Sequence, residues 1–314
     1  MSKHMTRTVV AAGYGGPEVL AVQDIELPDP GPGQVLVDVR AAGTNPIDYK
    51  LYSGEMGRDP GNLPMPLGME AAGVIAAVAP GVVGYTGPLT VGDEVIVTNV
   101  RGGYAERVIA DASDVGHKPG NLSFEEAAGL LLVAGTAWHL LTRTAVGTGD
   151  TVLIHGASGG VGLMAVQLAV ARGAQVIATA SPARHDHLRK YGAEPVAYGE
   201  GLADRVRAIG PVDAALDLVG TDEALDTSVE LVADRGRIAT IAGFGRAAEL
   251  GILALTGADG GQEIRDASRP EVIALAAAGK LEVTVDRVFP LAEAPEAHRY
   301  LQTGHARGKV VLVP

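Results

Sequence analysis

The spacing of apolar and polar residues differs between the two parts of this chain. Between residues 9 and 120, the apolar runs are short and extended, and turns rich in glycine and proline separate them. Alternating or short apolar segments of this kind are typical of strands, which we predict at residues 34–40, 73–78 and 93–97. This part of the chain therefore predicts a β-rich, partly closed barrel.

The pattern changes after residue 120. The segment SFEE at 123–126 has the form of a capping box and predicts a helix through Leu132, followed by a second helix from Thr136 to Thr144. Apolar runs then alternate with helical segments, which is typical of a doubly wound parallel sheet with right-handed crossovers. The predicted strands are 151–155, 175–179, 195–198, 212–218 and 237–242, and the predicted helices begin near Gly160, Pro182, Gly201 and Asp222.

The last part of the chain predicts a helix, a strand near 284–289, another helix and a final strand at 309–313. So short a final strand cannot form a domain alone, and we expect it to return to the N-terminal β domain. The chain is therefore predicted to be an α/β protein with a discontinuous domain at 1–120 and 259–314, and a Rossmann domain at 121–258.

The strand at 151–155 runs directly into a glycine-rich turn and then into an amphipathic helix. In this context, glycines let the backbone approach a pyrophosphate, and the amide groups that open the helix bind its oxygens. An ordinary glycine-rich turn between a strand and a helix is the alternative. The predicted cofactor-binding residues of the turn are Ala157, Ser158, Gly159, Gly160, Val161 and Gly162.

The end of the second predicted strand favours NADPH over NADH. An NAD site places an acidic residue there, whereas this strand ends at Thr179 and continues to Ser181 with no Asp or Glu. Ser181 and Arg184 offer a hydroxyl and a cation for a 2′-phosphate, with Arg189 or Lys190 as further cations. The alternative is that Arg184 is a solvated helix residue.

Composition excludes several partners. The 314 residues carry a net charge of −12, which argues against nucleic acid and anionic membranes, and no apolar run approaches the roughly 20 residues of a membrane span. The chain has no cysteine, so sulfur-ligated zinc is excluded, and His185 and His187 are spaced too closely to share one helix face. Residues 1–5 lack the apolar core of a signal peptide, and we expect a cytoplasmic protein.

With these features in place, the chain resembles the zinc-free quinone oxidoreductase and enone reductase branch of the medium-chain dehydrogenase/reductase superfamily. The resemblance extends over nearly the full length, and the order and spacing of its motifs make it specific. It implies a GroES-like catalytic barrel, a Rossmann domain and hydride transfer from NADPH. The matching segments are GTNPIDYK at 43–50, LGMEAAGV at 67–74, VGDEV at 91–95, GGYAE at 102–106, SFEEAA at 123–128, the turn at 156–162 and GKVVLVP at 308–314.

The resemblance also implies roles for individual residues. Asn45 is expected near the nicotinamide and the substrate, and Lys50 beside the substrate, although a turn-setting Asn45 and a solvated Lys50 are the alternatives. Tyr49 and Tyr52 are expected either to line the substrate cleft or to pack in the core. The remaining expected cofactor contacts are Thr136, Thr179, Tyr198, Leu218, Val219, Gly243, Phe244 and Lys309.

Zinc-dependent relatives carry metal ligands where this chain has Asn45, Met69 and a residue near Leu132. None of these three side chains is a good zinc ligand, so we expect no metal. Without a Lewis acid, oxidation of an alcohol through a stabilised alkoxide is disfavoured. A conjugated acceptor needs only hydrogen-bond donors for its carbonyl oxygen.

The sequence therefore predicts an NADPH-dependent reductase of a quinone or an α,β-unsaturated carbonyl compound, which relatives suggest is a homodimer. We expect residues 284–288 to lie near the edge of the Rossmann sheet through which such a dimer would pair. The alternatives are a trans-acting enoyl reductase of a biosynthetic pathway and a non-catalytic NADPH-binding sensor or scaffold, since fold alone does not establish catalysis.

Overall fold

The computed structural model describes residues 4–258 and 260–314 and divides into two compact units. Unit 1 comprises residues 1–132 and 283–314, and unit 2 comprises residues 133–282. These limits fall later than the predicted boundaries at 120 and 259, since the helix that follows residue 260 packs within unit 2. Asp259, where the second boundary was predicted, and residues 1–3 lie outside the described residues.

Short strands dominate the first 120 residues, and strands and helices alternate after residue 150. The strands are β1 (His4–Ala11), β2 (Leu20–Leu27), β3 (Gln34–Gly43), β4 (Met65–Pro66), β5 (Ala71–Val78), β6 (Val83–Gly84), β7 (Gly87–Pro88), β8 (Glu94–Val97), β9 (Arg107–Asp111), β10 (Val115–His117), β11 (Thr151–His155), β12 (Gln175–Thr179), β13 (Ala193–Val196), β14 (Ala214–Asp217), β15 (Ile238–Thr240), β16 (Leu253–Ala254), β17 (Val285–Pro290) and β18 (Lys309–Val313). The helices are α1 (Pro46–Ser53), α2 (Phe124–Ala128), α3 (Leu131–Arg143), α4 (Gly160–Ala171), α5 (His185–Lys190), α6 (Leu202–Arg207), α7 (Asp222–Leu231), α8 (Phe244–Leu250), α9 (Gly261–Ala277) and α10 (Ala294–Gln302).

Unit 1 is built around the long strand β3. This strand pairs with β5, β9 and β18. Two register shifts against β5 bend β3, so that its two halves can pair with different strands. The larger sheet has the order β10-β8-β5-β3-β18-β17, and β1 joins β2 and β4 in a smaller one. As predicted, the C-terminal strand β18 returns to the N-terminal β domain, because it pairs with Ala42 and Gly43 of β3.

Unit 2 contains a parallel sheet with the order β13-β12-β11-β14-β15-β16. This is the doubly wound order 3-2-1-4-5-6, in which ligands bind at the carboxyl ends of the strands near the point where the order reverses. That point lies between β11 and β14. The fold therefore places the glycine turn after β11 at the edge where a dinucleotide binds.

Three predictions about secondary structure are corrected. The helix predicted through Leu132 stops at Ala128, and α3 begins again at Leu131, because the chain leaves helical geometry at Gly129. The short helix α8 was missed, since residues 244–250 carry glycine and no clear apolar period. Residues 284–288 do not lie at the Rossmann edge, because they belong to unit 1, where β17 pairs with β18, and the edge strands of the parallel sheet in unit 2 are β13 and β16.

Within residues 4–258 and 260–314, no helix combines the length and the apolar character needed to cross a bilayer.

Candidate active site

The glycine turn of unit 2 is shaped for close approach of a ligand to the backbone. Gly156 has a φ of 74°, the left-handed region that glycine tolerates best. A Cβ at Gly162 would lie 2.3 Å from the Gly156 carbonyl oxygen, so α4 packs directly on the turn. A Cβ at Gly159 would meet only one atom, the Gly156 carbonyl oxygen at 3.6 Å, so the turn is open there.

The N-terminus of α4 also supplies uncommitted hydrogen-bond donors. Gly159 is the N-cap residue and provides no side chain, and the first backbone bond of the helix is donated by Leu163 to the Gly159 carbonyl. The amide groups of Gly160, Val161 and Gly162 therefore lack acceptors within the helix. Open backbone, free amides and the positive end of the helix dipole fit a pyrophosphate.

Among the described residues, the three cations predicted near a 2′-phosphate differ in whether their side chains are paired. Within the same residues, the side chains of Ser181 and Arg184 make no hydrogen bond or ion pair, and both residues are half-buried. Arg189, in contrast, is 2.8 Å from the Asp186 carboxylate, and Lys190 forms an ion pair of 2.5 Å with Glu282. Of the three predicted cations, Arg184 is therefore the one with no ionic partner among the described residues, and its role as a phosphate ligand stays a prediction.

A buried carboxylate, which was not predicted from the sequence, organises two neighbouring turns of this edge. Asp217 accepts hydrogen bonds from the Val219 and Gly220 amides at 3.1 and 2.9 Å, and from the Thr240 hydroxyl at 2.6 Å. The Thr240 oxygen in turn accepts from the Gly243 amide at 2.7 Å. Asp217 thereby fixes the two turns that carry the predicted cofactor contacts Leu218, Val219, Gly243 and Phe244. In the sequence, the signal for this role was a carboxylate at the end of an apolar strand.

Large apolar side chains stand exposed at the same edge. Tyr198 is 60% exposed, Val219 46% and Phe244 43%, although each follows a buried strand. Val219 also lies over the turn, since a Cβ at Gly156 would be 2.6 Å from its Cγ1. Exposed apolar surface around an open polar turn is what a bound adenosine would cover.

The other predicted contacts of unit 2 are less accessible. Thr179 is buried, and its hydroxyl accepts from the Gly156 amide at 3.4 Å, so it supports the turn. Thr136 on α3 is 5% exposed, Ala157 and Gly243 are buried, and Leu218 is half-buried. These residues support the turns at this edge of the sheet and expose little surface to a ligand.

In unit 1, Asn45 precedes α1 and lies in a buried ionic network. Its Oδ1 accepts from Lys309 Nζ at 2.6 Å, and its Nδ2 donates to Glu70 Oε1 at 3.0 Å. Lys309 also forms an ion pair with Glu70 at 2.8 Å and donates to the Thr44 carbonyl at 2.9 Å. All three ammonium protons of Lys309 are therefore committed, which argues against its predicted role as a direct cofactor contact.

Lys50 and Tyr49 lie farther along α1. Both are half-buried, and within the described residues the Lys50 ammonium has no hydrogen-bond or ionic partner. Burial raises the pKa of the Tyr49 phenol, so it remains a neutral donor. Lys50 therefore remains available to a ligand.

Tyr52 belongs to the core, which decides between its two predicted positions. It has no exposed surface, and its hydroxyl lies 3.0 Å from His298 Nδ1. His298 Nε2 lies 3.3 Å from the Tyr104 hydroxyl, which donates to Asp48 at 2.7 Å. Since the Tyr104 proton points to Asp48, His298 carries its proton on Nε2 and accepts from Tyr52 at Nδ1. The chain of bonds anchors α1.

Asp48 makes stability depend on pH. Burial raises its pKa to about 6, against the opposing effect of hydrogen bonds from Tyr104 and the Asn45 amide. The native state then holds a proton that the unfolded chain releases near pH 4, so this contribution to stability is lost as pH rises through about 6.

We expect the free energy of unfolding of the wild type, relative to Asp48→Asn, to fall by about 2 kcal/mol between pH 4 and pH 7. Urea unfolding of both proteins across this range measures the difference. Parallel pH curves would show that Asp48 is ionised throughout.

Among residues 4–258 and 260–314, no group of three or more His, Asp or Glu side chains is placed to hold a metal ion. Asn45 and Met69 lie in unit 1, as does Leu132, whose amide donates to Glu70 at 3.1 Å.

Comparison with known proteins agrees with this architecture. The alcohol dehydrogenase GroES-like domain profile matches residues 31–124, and the zinc-binding dehydrogenase profile matches residues 185–312. A quinone oxidoreductase from Pseudomonas aeruginosa is 35% identical, and the alignment covers 99% of this chain and 100% of that protein. The chain belongs to the quinone oxidoreductase branch of the medium-chain dehydrogenase/reductase superfamily. It is therefore an oxidoreductase.

Two solved structures extend the comparison of this quinone oxidoreductase family member. A mycobacterial protein solved in complex with NADPH is 32% identical, with a TM-score of 0.85 and coverage of 99% of this chain and 100% of that chain. A protein described as an NAD-dependent alcohol dehydrogenase is also 32% identical, with a TM-score of 0.87 and coverage of 98% and 99%. Overall similarity thus leaves the choice of nicotinamide cofactor to the site residues.

Proposed function

We propose that this protein uses NADPH to reduce quinones or α,β-unsaturated carbonyl compounds without a catalytic metal ion. The observation that carries the proposal is a set of hydrogen-bond donors that have no partner among the described residues and lie at the carboxyl edge of the parallel sheet. These are the first amides of α4 and the unpaired Ser181 and Arg184 side chains. The relative solved with NADPH supports it.

The residues of unit 2 would hold the cofactor in three parts. The amides of Gly160 and Val161 would bind the pyrophosphate, and Ser181 and Arg184 the 2′-phosphate. Tyr198 and Phe244 would cover the adenosine. Asp217 holds the two turns that follow β14 and β15 in place before binding, which reduces the entropy lost there when the ligand binds.

When bound, the nicotinamide supplies the hydride for reduction. Negative charge then develops on the carbonyl oxygen of the acceptor, and the residues of unit 1 would stabilise it. Asn45 has an amide proton whose only described acceptor, the Gly43 carbonyl oxygen, is 3.5 Å away, and Lys50 has a free ammonium. Donors aimed at the position where negative charge develops would stabilise the transition state more than the ground state.

Turnover with a panel of quinones and enones tests this function. The rate of turnover is measured as the loss of NADPH absorbance, with and without EDTA. We expect oxidation of NADPH with at least one conjugated acceptor and no loss of rate on chelation. Tight NADPH binding without turnover of any acceptor would instead support a non-catalytic sensor or scaffold.

Replacing Arg184 tests the choice of cofactor. A charge-assisted hydrogen bond contributes about 1.5–3 kcal/mol, so Arg184→Ala should weaken NADPH binding roughly 10- to 150-fold and NADH binding little. Arg189→Ala is the matched control, because its guanidinium is paired with Asp186. Equal losses for NADPH and NADH, measured by fluorescence titration, would contradict the assignment.

A further inference from the structure

Lys309 is buried in a way that nothing in the proposed cofactor site explains. Its side chain is 4% exposed and Glu70, its ionic partner, 0%. A Cβ at Gly129 would lie 2.8 Å from Lys309 Cγ, so the absence of a side chain at Gly129 makes room for the lysine stem. A buried ion pair is costly to desolvate and often adds no net stability, so its value is better sought in what it orients.

The pair fixes the carboxamide of Asn45 in one orientation. An ammonium can only donate, so the Asn45 atom 2.6 Å from Lys309 must be oxygen. An ionised carboxylate can only accept, so the atom 3.0 Å from Glu70 must be nitrogen. The χ2 torsion of asparagine is otherwise broad, so without these partners the amide group could turn over.

Orientation decides whether Asn45 attracts or repels an acceptor oxygen. One amide proton is held by Glu70, and the other lies toward the Gly43 carbonyl oxygen, 3.5 Å from the amide nitrogen and at the long limit of a hydrogen bond. A carboxamide turned by 180° would present oxygen in place of this second proton. Developing negative charge would then face a lone pair.

We propose that Lys309 and Glu70 are positioning residues that act on the reaction through Asn45, by holding its second amide proton available to the acceptor oxygen. The proposal rests on the role given to Asn45 in the proposed function. It replaces the direct contact with the cofactor that the sequence predicts for Lys309.

A double-mutant cycle tests the coupling with Lys309→Met, Asn45→Ala and the double variant. Misorientation of a reacting group costs on the order of 10²-fold, which we expect in kcat/KM for Lys309→Met while Kd for NADPH changes less than about twofold. In the Asn45→Ala background, Lys309→Met should have almost no further effect. Losses that multiply would overturn the proposal, as would weakened NADPH binding that accounts for the lost rate.

Removing Lys309 alone leaves a buried carboxylate unpaired and could unfold the protein. The variant Glu70→Gln combined with Lys309→Met removes both charges and keeps the experiment decisive. We expect it to fold and to lose about as much kcat/KM as Lys309→Met. A folded double variant with wild-type turnover would overturn the proposal.

The NMR resonance of the Asn45 side-chain amide can be assigned because it is lost in Asn45→Ala. Measuring this resonance tests the positioning role independently of the proposed function. We expect Lys309→Met to shift that resonance and to speed its hydrogen exchange even if no acceptor is turned over. An unchanged resonance would refute the positioning role. Failure of the wild type to reduce any acceptor would refute the proposed function alone.

Discussion

Replacing Lys50 by methionine is expected to lower kcat/KM for an enone by about 10²–10³-fold, the loss typical of one donor to a developing oxyanion. The ammonium lies on the last turn of α1 and is half-buried, and its removal breaks no hydrogen bond or ion pair among the described residues. Methionine keeps most of the length of the side chain and removes the charge and its donors. Because the interaction belongs to the transition state, NADPH affinity should change little.

Steady-state kinetics and NADPH titration of Lys50→Met, beside Lys280→Met as an exposed control in unit 2, measure these effects. Kinetics indistinguishable from the wild type would mean that Lys50 is only solvated. A large loss of NADPH affinity would mean that Lys50 binds the cofactor and not the acceptor.

Alanine at two glycines of the same turn is expected to separate cofactor binding from folding. At Gly159 a methyl group meets only the Gly156 oxygen at 3.6 Å, and the φ of −80° suits any residue. We expect Gly159→Ala to leave the free energy of unfolding within about 0.5 kcal/mol of the wild type. NADPH affinity should nevertheless fall by at least about tenfold, because the methyl group stands where the backbone must approach the pyrophosphate.

Gly162→Ala should behave differently. Its methyl group would lie 2.3 Å from the Gly156 oxygen and 2.6 Å from Ala157 Cα, both backbone atoms that cannot turn aside. We expect a loss of about 1–3 kcal/mol in the free energy of unfolding together with the loss of NADPH affinity. Urea unfolding and fluorescence titration of both variants give the comparison. Tight NADPH binding by Gly159→Ala would show that the turn is not part of the cofactor site.

Local patterns were sufficient to predict unit 2 well. The structure confirms the predicted strands at 151–155 and 175–179 and the predicted helix from Gly160. In this segment the spacing of the apolar residues, the glycine turn and the signal for the start of the helix all indicate the same boundaries. The helix break at Gly129 was missed, and the close neighbour of this glycine, Lys309, lies 180 positions along the chain. No local pattern carries such a contact.

Interactions between distant segments also explain what was missed or misjudged at the candidate site. Asn45 was singled out, but its partners Glu70 and Lys309 are 25 and 264 residues away. Tyr52 is a residue type that occurs both in clefts and in cores, and its partner in the core, His298, lies 246 residues later in the chain. Arg184 was distinguishable from Arg189 only once the pairing of Arg189 with Asp186 was seen.

Deuterium carried at the transferable position of NADPH tests directly whether the protein transfers hydride to a conjugated acceptor. The protein would be mixed with deuterated NADPH and an enone, and the products examined by mass spectrometry and NMR. We expect a saturated carbonyl product with one deuterium on its β-carbon for each NADPH oxidised, with EDTA present. Reduced enone without the label, or NADPH that stays bound and unoxidised with every acceptor, would contradict it.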